Sequence, residues 1–197
     1  MIRIIVPHRG LAMSKTRLAP VLDPGDRFAL ARDLLEHVVD VTRGAVDDVV
    51  VISPSAELAE IVEPRGARLV VQHGMGLNRG LEQARATAVA DGIELLGVLH
   101  GDLPNLRADD VRALLHAAPE PRGVAIAPDR AGTGTNGLAL RPAGMIGFAF
   151  GVGSFAAHLA EAERAGVTVV AINRAGLAFD LDTPADLARW LELGDAA

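Results

Sequence analysis

The chain contains no cysteine among its 197 residues. Disulfide bonds and metal sites built on thiolate ligands are therefore excluded. Aromatic side chains are almost as scarce, with no tyrosine, one tryptophan and five phenylalanines. A hydrophobic core must consequently be built from alanine, valine, leucine and isoleucine. The length is that of a single domain of ordinary size, which we predict to span residues 1–197.

A long apolar run and an excess of positive charge are also missing. No window approaches the roughly 18 apolar residues that a membrane span requires. The first apolar run ends at Pro7 and is too short for a secretory signal. With 19 lysine and arginine residues against 25 aspartate and glutamate residues, the net charge is −6, whereas general nucleic-acid binders usually have a basic face. We therefore expect a cytoplasmic protein with neither membrane nor nucleic-acid partners.

Short β-branched runs alternate with longer helical patterns along the chain. Seven strands are predicted, at residues 2–7, 48–53, 67–72, 94–102, 123–129, 136–142 and 167–173. Helices are predicted at residues 24–44, 55–66, 74–92, 109–118, 150–166 and from Pro184 onward. This alternation indicates a three-layer α/β fold with a mixed, mostly parallel sheet. The connection between 123–129 and 136–142 is too short for a helical crossover, so one of these two strands should be antiparallel.

Capping residues support the helix boundaries. Asp23 and Thr183 precede the first and last helices as expected N-caps, with Asp186 completing a capping box after Thr183. Gly166 is the expected C′ residue of the helix at 150–166. The apolar face of the helix at 74–92 is predicted to contain Leu77, Leu81, Ala84 and Ala88.

A basic loop follows the first strand, in a chain that is otherwise acidic. It carries Arg9, Lys15 and Arg17, and it matches neither the P-loop pattern nor the dinucleotide-binding glycine pattern. Arginine can bind phosphate oxygens in a bidentate manner, and lysine acts as a point charge. In an open α/β sheet, ligands bind beyond the carboxyl ends of the strands. The loop is therefore a candidate phosphate site; the alternative is an ordinary solvated basic loop.

Three aspartates are candidate ligands for a divalent cation. Asp102 follows an apolar strand, while Asp180 and Asp182 alternate and would project to one side of an extended segment. Neighbouring carboxylates repel each other unless a cation or a basic group lies between them, and Mg²⁺ prefers oxygen ligands. The alternatives are that Asp102 caps a turn, that Asp182 caps the last helix and that Asp180 is solvated.

Three glycine-containing segments are candidate ligand loops. The segment ending at Thr135 and the segment from Ala149 to Ser154 offer backbone N–H groups and hydroxyls for a small anion. The segment 74–78 allows close backbone approach and ends in Asn78, whose amide suits a base edge. The alternative for the segment ending at Thr135 is a flexible hairpin connection. For the segment from Ala149 to Ser154 it is simple N-capping by Ser154, and for the segment 74–78 it is an ordinary turn into a helix. We assign no role to His100.

Taken in order, these segments resemble one family. MSKTRLAPVL, GLNRGLEQAR, GDLPNL, APDRAGTGTNGLAL, FGVGSFAAHLAEAERAG and FDLDTPADL together are similar to the 2-phospho-L-lactate / phosphoenolpyruvate guanylyltransferases of coenzyme F(420) biosynthesis. The resemblance implies a nucleotide-diphospho-sugar transferase type of fold. It also implies a reaction in which a phosphorylated three-carbon acid attacks the α-phosphorus of GTP and pyrophosphate leaves. A downstream transferase is the implied functional partner, and the oligomeric state stays open.

The resemblance also implies residue roles. Lys15 and Arg17, with Asp102, are the implied catalytic residues. The residues implied to bind the nucleotide are Arg9, Lys15, Arg17, Gly76, Leu77 and Asn78. Those implied to bind the acceptor are Thr135, Gly151 and Ser154. The implied ligands of Mg²⁺ are Asp102, Asp180 and Asp182. The family's first loop usually reads Val-Lys-Pro where this chain has His8, Arg9 and Gly10. Alternative functions are a GT-A glycosyltransferase, a molybdenum-cofactor nucleotidyltransferase and a non-catalytic nucleotide-binding subunit.

Overall fold

Strands and helices alternate as the hydrophobic pattern predicts. A computed structural model describes residues 1–194. The strands are β1 (Ile2–Pro7), β2 (Val49–Ser53), β3 (Arg68–Val71), β4 (Leu95–Leu99), β5 (Gly123–Pro128), β6 (Thr135–Arg141) and β7 (Val169–Ala171). The helices are α1 (Pro24–Arg43), α2 (Ala59–Val62), α3 (Leu77–Ala90), α4 (Ala108–Ala117), α5 (Ser154–Arg164), α6 (Ala175–Ala178) and α7 (Pro184–Gly194).

All seven strands form one sheet in the order β3-β2-β1-β4-β6-β5-β7. Strand β6 runs antiparallel to both β4 and β5, and the other pairs are parallel. The antiparallel strand predicted from the short connection is thus β6. After β1 the chain moves outward to β2 and β3, and then returns to place β4 on the other side of β1. This switch in direction between β1 and β4 is where an open α/β sheet forms its ligand crevice.

Helices cover both faces of the sheet, which gives three layers. Alternate residues of β1 point to opposite faces: Ile4 belongs to the core cluster with Leu35 of α1 and Leu114 of α4. Ile5 belongs to the cluster with Leu81 of α3. These residues are almost completely buried, and full burial of each such side chain contributes roughly 1.5–3 kcal/mol.

The predicted caps are present at both ends of the chain. Asp23 Oδ1 accepts a hydrogen bond from the Asp26 N–H at 2.8 Å. Thr183 and Asp186 form a reciprocal pair, because each backbone N–H is bonded to the other side chain, at 2.9 and 3.3 Å. Gly166 has φ 62° after α5, a conformation that glycine adopts without steric cost.

The predictions of helix boundaries and of one buried residue were wrong at several places. The helix expected at 55–66 is divided into 3₁₀ turns around the four-residue α2, since Pro64 interrupts helical hydrogen bonding. The helix expected at 150–166 begins at Ser154, with Gly153 as its N-cap. The short helix α6 was not predicted. Leu77 is 39% exposed and does not belong to the apolar face of α3.

In the described residues, none of the helices is both long and apolar enough to cross a membrane.

Candidate active site

The basic loop after β1 places one lysine among the predicted acidic residues. Lys15 lies in the left-handed backbone region, with φ 54°. Its side chain is only 5% exposed. The ammonium donates to Asp102 Oδ2 at 2.7 Å, to the Leu181 carbonyl at 2.7 Å and to Asp182 Oδ1 at 3.2 Å. Lys15 thus satisfies its three donors on two segments that lie far from it in the sequence.

Asp102 lies just beyond the carboxyl end of β4. Burial acts to raise the pKa of its carboxyl group, but the charge and hydrogen bond of Lys15, together with the nearby imidazoles of His100 and His8, hold the pKa below the usual range. Only one carboxylate oxygen has a protein partner. The other, Oδ1, is buried and has no hydrogen-bond partner within residues 1–194. A buried, unsatisfied carboxylate oxygen is costly and indicates a position for a ligand, an ion or water.

Asp180 and Asp182 flank Leu181 and have different environments. Asp180 Oδ1 accepts from the Asn136 side chain at 3.2 Å. Burial raises the pKa of Asp180, and the nearby charges of Asp102 and Asp182 raise it further. Asp182 contacts Lys15 and also Arg17, whose guanidinium lies 3.4 Å away and is 73% exposed. The structure therefore brings Lys15, Arg17 and all three predicted aspartates together.

These residues fit a hard divalent cation when a phosphorylated substrate completes its coordination. No cluster of three or more metal-binding side chains is preformed within the described part of the chain. Mg²⁺, however, is usually held by one or two carboxylates together with waters and substrate phosphates. The unpartnered oxygen of Asp102 suits such an ion, and so do the burial and the neighbouring carboxylates that raise the pKa of Asp180. Lys15 is the basic group that separates Asp102 from Asp182 in this structure.

His8 organises the first turn of the basic loop, a role that the sequence did not reveal. Its Nδ1 accepts from the Gly10 N–H at 3.0 Å, and its Nε2 lies 3.5 Å from the Ser14 hydroxyl. The Ser14 hydroxyl in turn donates to the Gly10 carbonyl at 2.8 Å. Burial lowers the pKa of His8 to about 4, so the ring is neutral near pH 7. Arg9 projects outward and is exposed.

The glycine segment before α3 is held by side-chain amides. Gln72 Nε2 donates to the carbonyls of Gly74 and Gly76 at 3.0 and 2.9 Å. Gly76 is the N-cap residue of α3, with φ 99°, and open space lies where a Cβ would be. This leaves the backbone at Gly76 and the exposed Leu77 accessible to a planar ligand, as the predicted guanine contact requires.

Asn78 is engaged with the loop that follows β6. Its Nδ2 donates to the Phe150 carbonyl at 3.0 Å, and its Oδ1 accepts from the Phe150 N–H at 2.9 Å. One amide hydrogen and one lone pair remain for any base edge. The contact of Asn78 with guanine stays a prediction. What the geometry adds is that Asn78 joins the predicted nucleotide segment to the predicted acceptor segment.

The predicted acceptor residues converge at the start of α5. Thr135 is the first residue of β6, and Ser154 is the first residue of α5; both are buried. Gly151 has φ 139°, and its carbonyl accepts from the Ser154 N–H at 3.1 Å. His158, one turn into α5, lies 3.1 Å from the Thr135 hydroxyl. The sequence singled out the first three residues but missed His158, since a histidine within a helix has no local signature.

His100 lies next to this group. Its ring centroid is 5.5 Å from that of Phe150. Its Nε2 is buried and has no hydrogen-bond partner in the described residues. A cavity of about 820 Å³ lies elsewhere and is lined by Asn105, Arg107 and Arg174, among others. Charge and hydrogen bonding, rather than enclosed volume, distinguish the candidate active site.

Comparison with known proteins identifies the family of this chain. A family model described as "Guanylyl transferase CofC like" matches residues 2–196. The phosphoenolpyruvate guanylyltransferase of Sphaerobacter thermophilus is 45% identical over 185 residues, which cover 93% of this chain and 89% of that protein.

Solved structures share the fold at low sequence identity. A Desulfovibrio desulfuricans protein assigned as a nucleotide-diphospho-sugar transferase has a TM-score of 0.79 at 18% identity, covering 98% of this chain and 87% of that chain. A nucleotidyl transferase of Methanothermobacter thermautotrophicus has a TM-score of 0.72 at 18% identity, covering 98% and 97%. The predicted fold type is thereby confirmed. Since the family model matches nearly the whole length, the chain is a nucleotidyltransferase that belongs to the CofC-like guanylyl transferase family.

Proposed function

We propose that this enzyme transfers the guanylyl group of GTP to phosphoenolpyruvate and releases pyrophosphate. The observation that carries the proposal is the placement of Lys15, buried against Asp102 and Asp182 with Arg17 exposed beside it. A triphosphate brought to this edge of the sheet meets a buried lysine and an exposed arginine. The relative in Sphaerobacter thermophilus bears the name of this reaction. Coenzyme F(420) biosynthesis in the cytoplasm is the corresponding cellular role.

The bond changes need no protein base. An oxygen of the acceptor's phosphate forms a bond to the α-phosphorus of GTP, and the bond from that phosphorus to the β-phosphate oxygen breaks. Because the attacking group is already an anion, no proton has to be removed. Positioning and charge stabilisation then supply most of the rate. Lys15 and Arg17 bind the triphosphate and stabilise the negative charge that moves onto pyrophosphate, and Arg9 adds positive charge at the rim.

Mg²⁺ would be held by Asp102 and Asp180, with Asp182 nearby. The ion would neutralise phosphate charge and orient the reacting oxygens. The support is the buried, unpartnered Oδ1 of Asp102 and the raised pKa of Asp180. Guanine would lie against Gly76 and Leu77, with Asn78 beside them. Thr135, Gly151 and Ser154 would hold the phosphate and carboxylate of the acceptor.

Pyrophosphate release tests the proposal directly. GTP, ATP, CTP and UTP are each combined with phosphoenolpyruvate, 2-phospho-L-lactate and 3-phosphoglycerate, with and without Mg²⁺ and with and without a downstream transferase. We expect Mg²⁺-dependent release with GTP and phosphoenolpyruvate. Release with 2-phospho-L-lactate alone would reassign the acceptor. Binding of GTP without release in any combination would overturn the proposal and favour a non-catalytic binding subunit.

A further inference from the structure

The acceptor segment contains a buried imidazole that contacts two loops at once. His158 is 1% exposed. Its Nε2 accepts from the Ala149 N–H at 3.0 Å, and its Nδ1 lies 3.1 Å from Thr135 Oγ1. The ring also packs edge-on against Phe150, with a centroid separation of 4.7 Å. His158 therefore connects β6, the loop after it and α5.

The hydrogen bond from Ala149 determines which ring nitrogen carries the proton. An N–H donor at 3.0 Å requires Nε2 to be an unprotonated acceptor. In the neutral ring the hydrogen is then on Nδ1, which points at the Thr135 hydroxyl. The imidazole also has a hydrogen bond with the Ser154 backbone. Because Nδ1 carries a hydrogen, Thr135 cannot donate to the ring and keeps its own O–H hydrogen for another acceptor. Burial lowers the pKa of His158 to about 4, which agrees with a neutral ring.

The same ring sets the position of the backbone around Gly151. The N–H of Ala149, the residue before Phe150, donates to His158. The N–H and carbonyl of Phe150 itself are hydrogen-bonded to the side chain of Asn78. Ser154 begins the helix one turn before His158. The groups that the proposed function assigns to the acceptor thus share one buried hydrogen-bonding side chain.

We infer that His158 is a positioning residue for the acceptor: it orients the Thr135 hydroxyl as a donor to an acidic group of the acceptor and holds the 149–154 segment in place. The inference rests on the proposed function, because that function makes Thr135 an acceptor contact. Hydrogen bonds to charged groups are worth about 1.5–3 kcal/mol, or roughly 10–100-fold in affinity. Losing the orientation should therefore weaken binding of the acceptor and leave GTP binding unchanged.

Two substitutions separate the two contacts. In His158→Asn the side-chain amide reaches the place of Nδ1, near Thr135, whereas in His158→Gln it reaches the place of Nε2, near Ala149. Steady-state pyrophosphate release at saturating GTP gives KM for phosphoenolpyruvate, and calorimetric titration gives Kd for GTP. His37→Gln is the matched control, since His37 is a part-buried histidine outside the site whose Nε2 lies 3.2 Å from the Leu106 carbonyl.

We expect both His158 variants to raise KM for phosphoenolpyruvate by roughly tenfold or more, with Kd for GTP within about twofold of wild type. In a Thr135→Val background, His158→Gln should add little further to KM, because the hydroxyl that it orients is gone. An unchanged KM, or fully additive effects, in variants that still bind GTP would overturn the inference. If His158→Gln does not fold, the KM of His158→Asn for phosphoenolpyruvate decides on its own, and if His158→Asn does not fold, His158→Gln decides by both criteria. A wild-type enzyme that releases no pyrophosphate with phosphoenolpyruvate would instead overturn the proposed function.

Discussion

At the scale of single residues, the site depends on a lysine that is positioned before any substrate arrives. Lys15 has its three donors satisfied by oxygens of Asp102, Leu181 and Asp182. Its side chain is therefore held at the edge of the sheet, and a triphosphate that binds there replaces at least one of these oxygens as the acceptor of a Lys15 hydrogen bond. Preorganised charge of this kind stabilises the transition state more strongly than a mobile surface lysine does.

Replacing Lys15 by Ala should lower kcat by on the order of 10²–10³. It should also destabilise the fold by roughly 3 kcal/mol, since the Asp102 carboxylate is left buried without its partner. Turnover and urea unfolding of the same preparation measure both effects. Arg164→Ala is the control, because its ion pair with Glu161 is largely exposed. A Lys15→Ala enzyme with nearly wild-type turnover would remove Lys15 from the mechanism.

The buried imidazole of His158 and the partly buried imidazole of His8 make stability depend on pH. The pKa values of His8 and His158 are lowered by burial to about 4, against about 6.5 in an unfolded chain. Between these values the unfolded state binds more protons, so the free energy of unfolding falls as the pH falls from about 6.5 to about 4. At about pH 5 each imidazole should lower the free energy of unfolding by roughly 2 kcal/mol relative to its value at about pH 7.5.

Urea unfolding of wild type and His158→Gln at these two pH values tests this linkage. The loss of stability on acidification should be smaller in the variant by about 2 kcal/mol. Asp180, whose raised pKa acts in the opposite direction, is present in both proteins and cancels in the difference. Equal losses in both proteins would show that His158 accepts a proton as readily when folded as when unfolded.

At the scale of elements, function depends on how loops on different strands are tied together. The loop after β6 is held on one side by α5, through His158, and on the other by α3, through Asn78. The two amide–backbone bonds of Asn78 cross between the segment predicted for guanine and the segment predicted for the acceptor. Binding at either segment is therefore expected to influence the other.

Asn78→Ala tests this connection. Losing both bonds to Phe150 should loosen the 149–154 segment and raise KM for the acceptor by roughly tenfold. The ratio of kcat/KM values for GTP and ATP shows whether the amide also recognises the base. Gln83→Ala is the control, since Gln83 bonds the Val71 carbonyl and the His73 N–H at the same edge without touching Phe150. An unchanged acceptor KM together with a changed GTP-to-ATP ratio would mean that Asn78 acts on the base alone.

At the scale of the whole molecule, one buried charged side chain that supports the fold lies at the end of the sheet opposite the candidate site. Arg3, near the amino end of β1, is 4% exposed and contacts Asp48 and Asp91, each at 2.8 Å. These contacts join β1 to the chain preceding β2 and to the end of α3. The site residues lie beyond the carboxyl ends of β1 and β4.

Arg3→Leu should therefore destabilise the protein by roughly 2–3 kcal/mol and leave kcat per folded molecule unchanged. Thermal unfolding and turnover below the transition measure the two quantities. Arg32, which is exposed and pairs with Glu36 one turn along α1, provides a control. Because Glu36 keeps its contact with Arg65, Arg32→Ala should lower the free energy of unfolding by less than about 0.5 kcal/mol. A marked loss of kcat in folded Arg3→Leu would show that the two ends of the sheet are coupled.

The sequence by itself determined the α/β class, the order of the strands along the chain, most helix boundaries and the family. These follow from local information: hydrophobic period, capping residues such as Asp23 and Thr183, and ordered motifs. It also singled out most of the candidate site residues, because polar groups directly after buried strands are visible without a structure.

Only the tertiary structure decided which of those residues meet. Lys15 lies 87 positions from Asp102 and 167 from Asp182, and their contact depends on the sheet placing β4 beside β1. The bond of Asn78 to Phe150 and the contacts of His158 arise in the same way. Side-chain partners across a sheet are set by strand order and by which face each helix covers, and no local pattern in the chain encodes either.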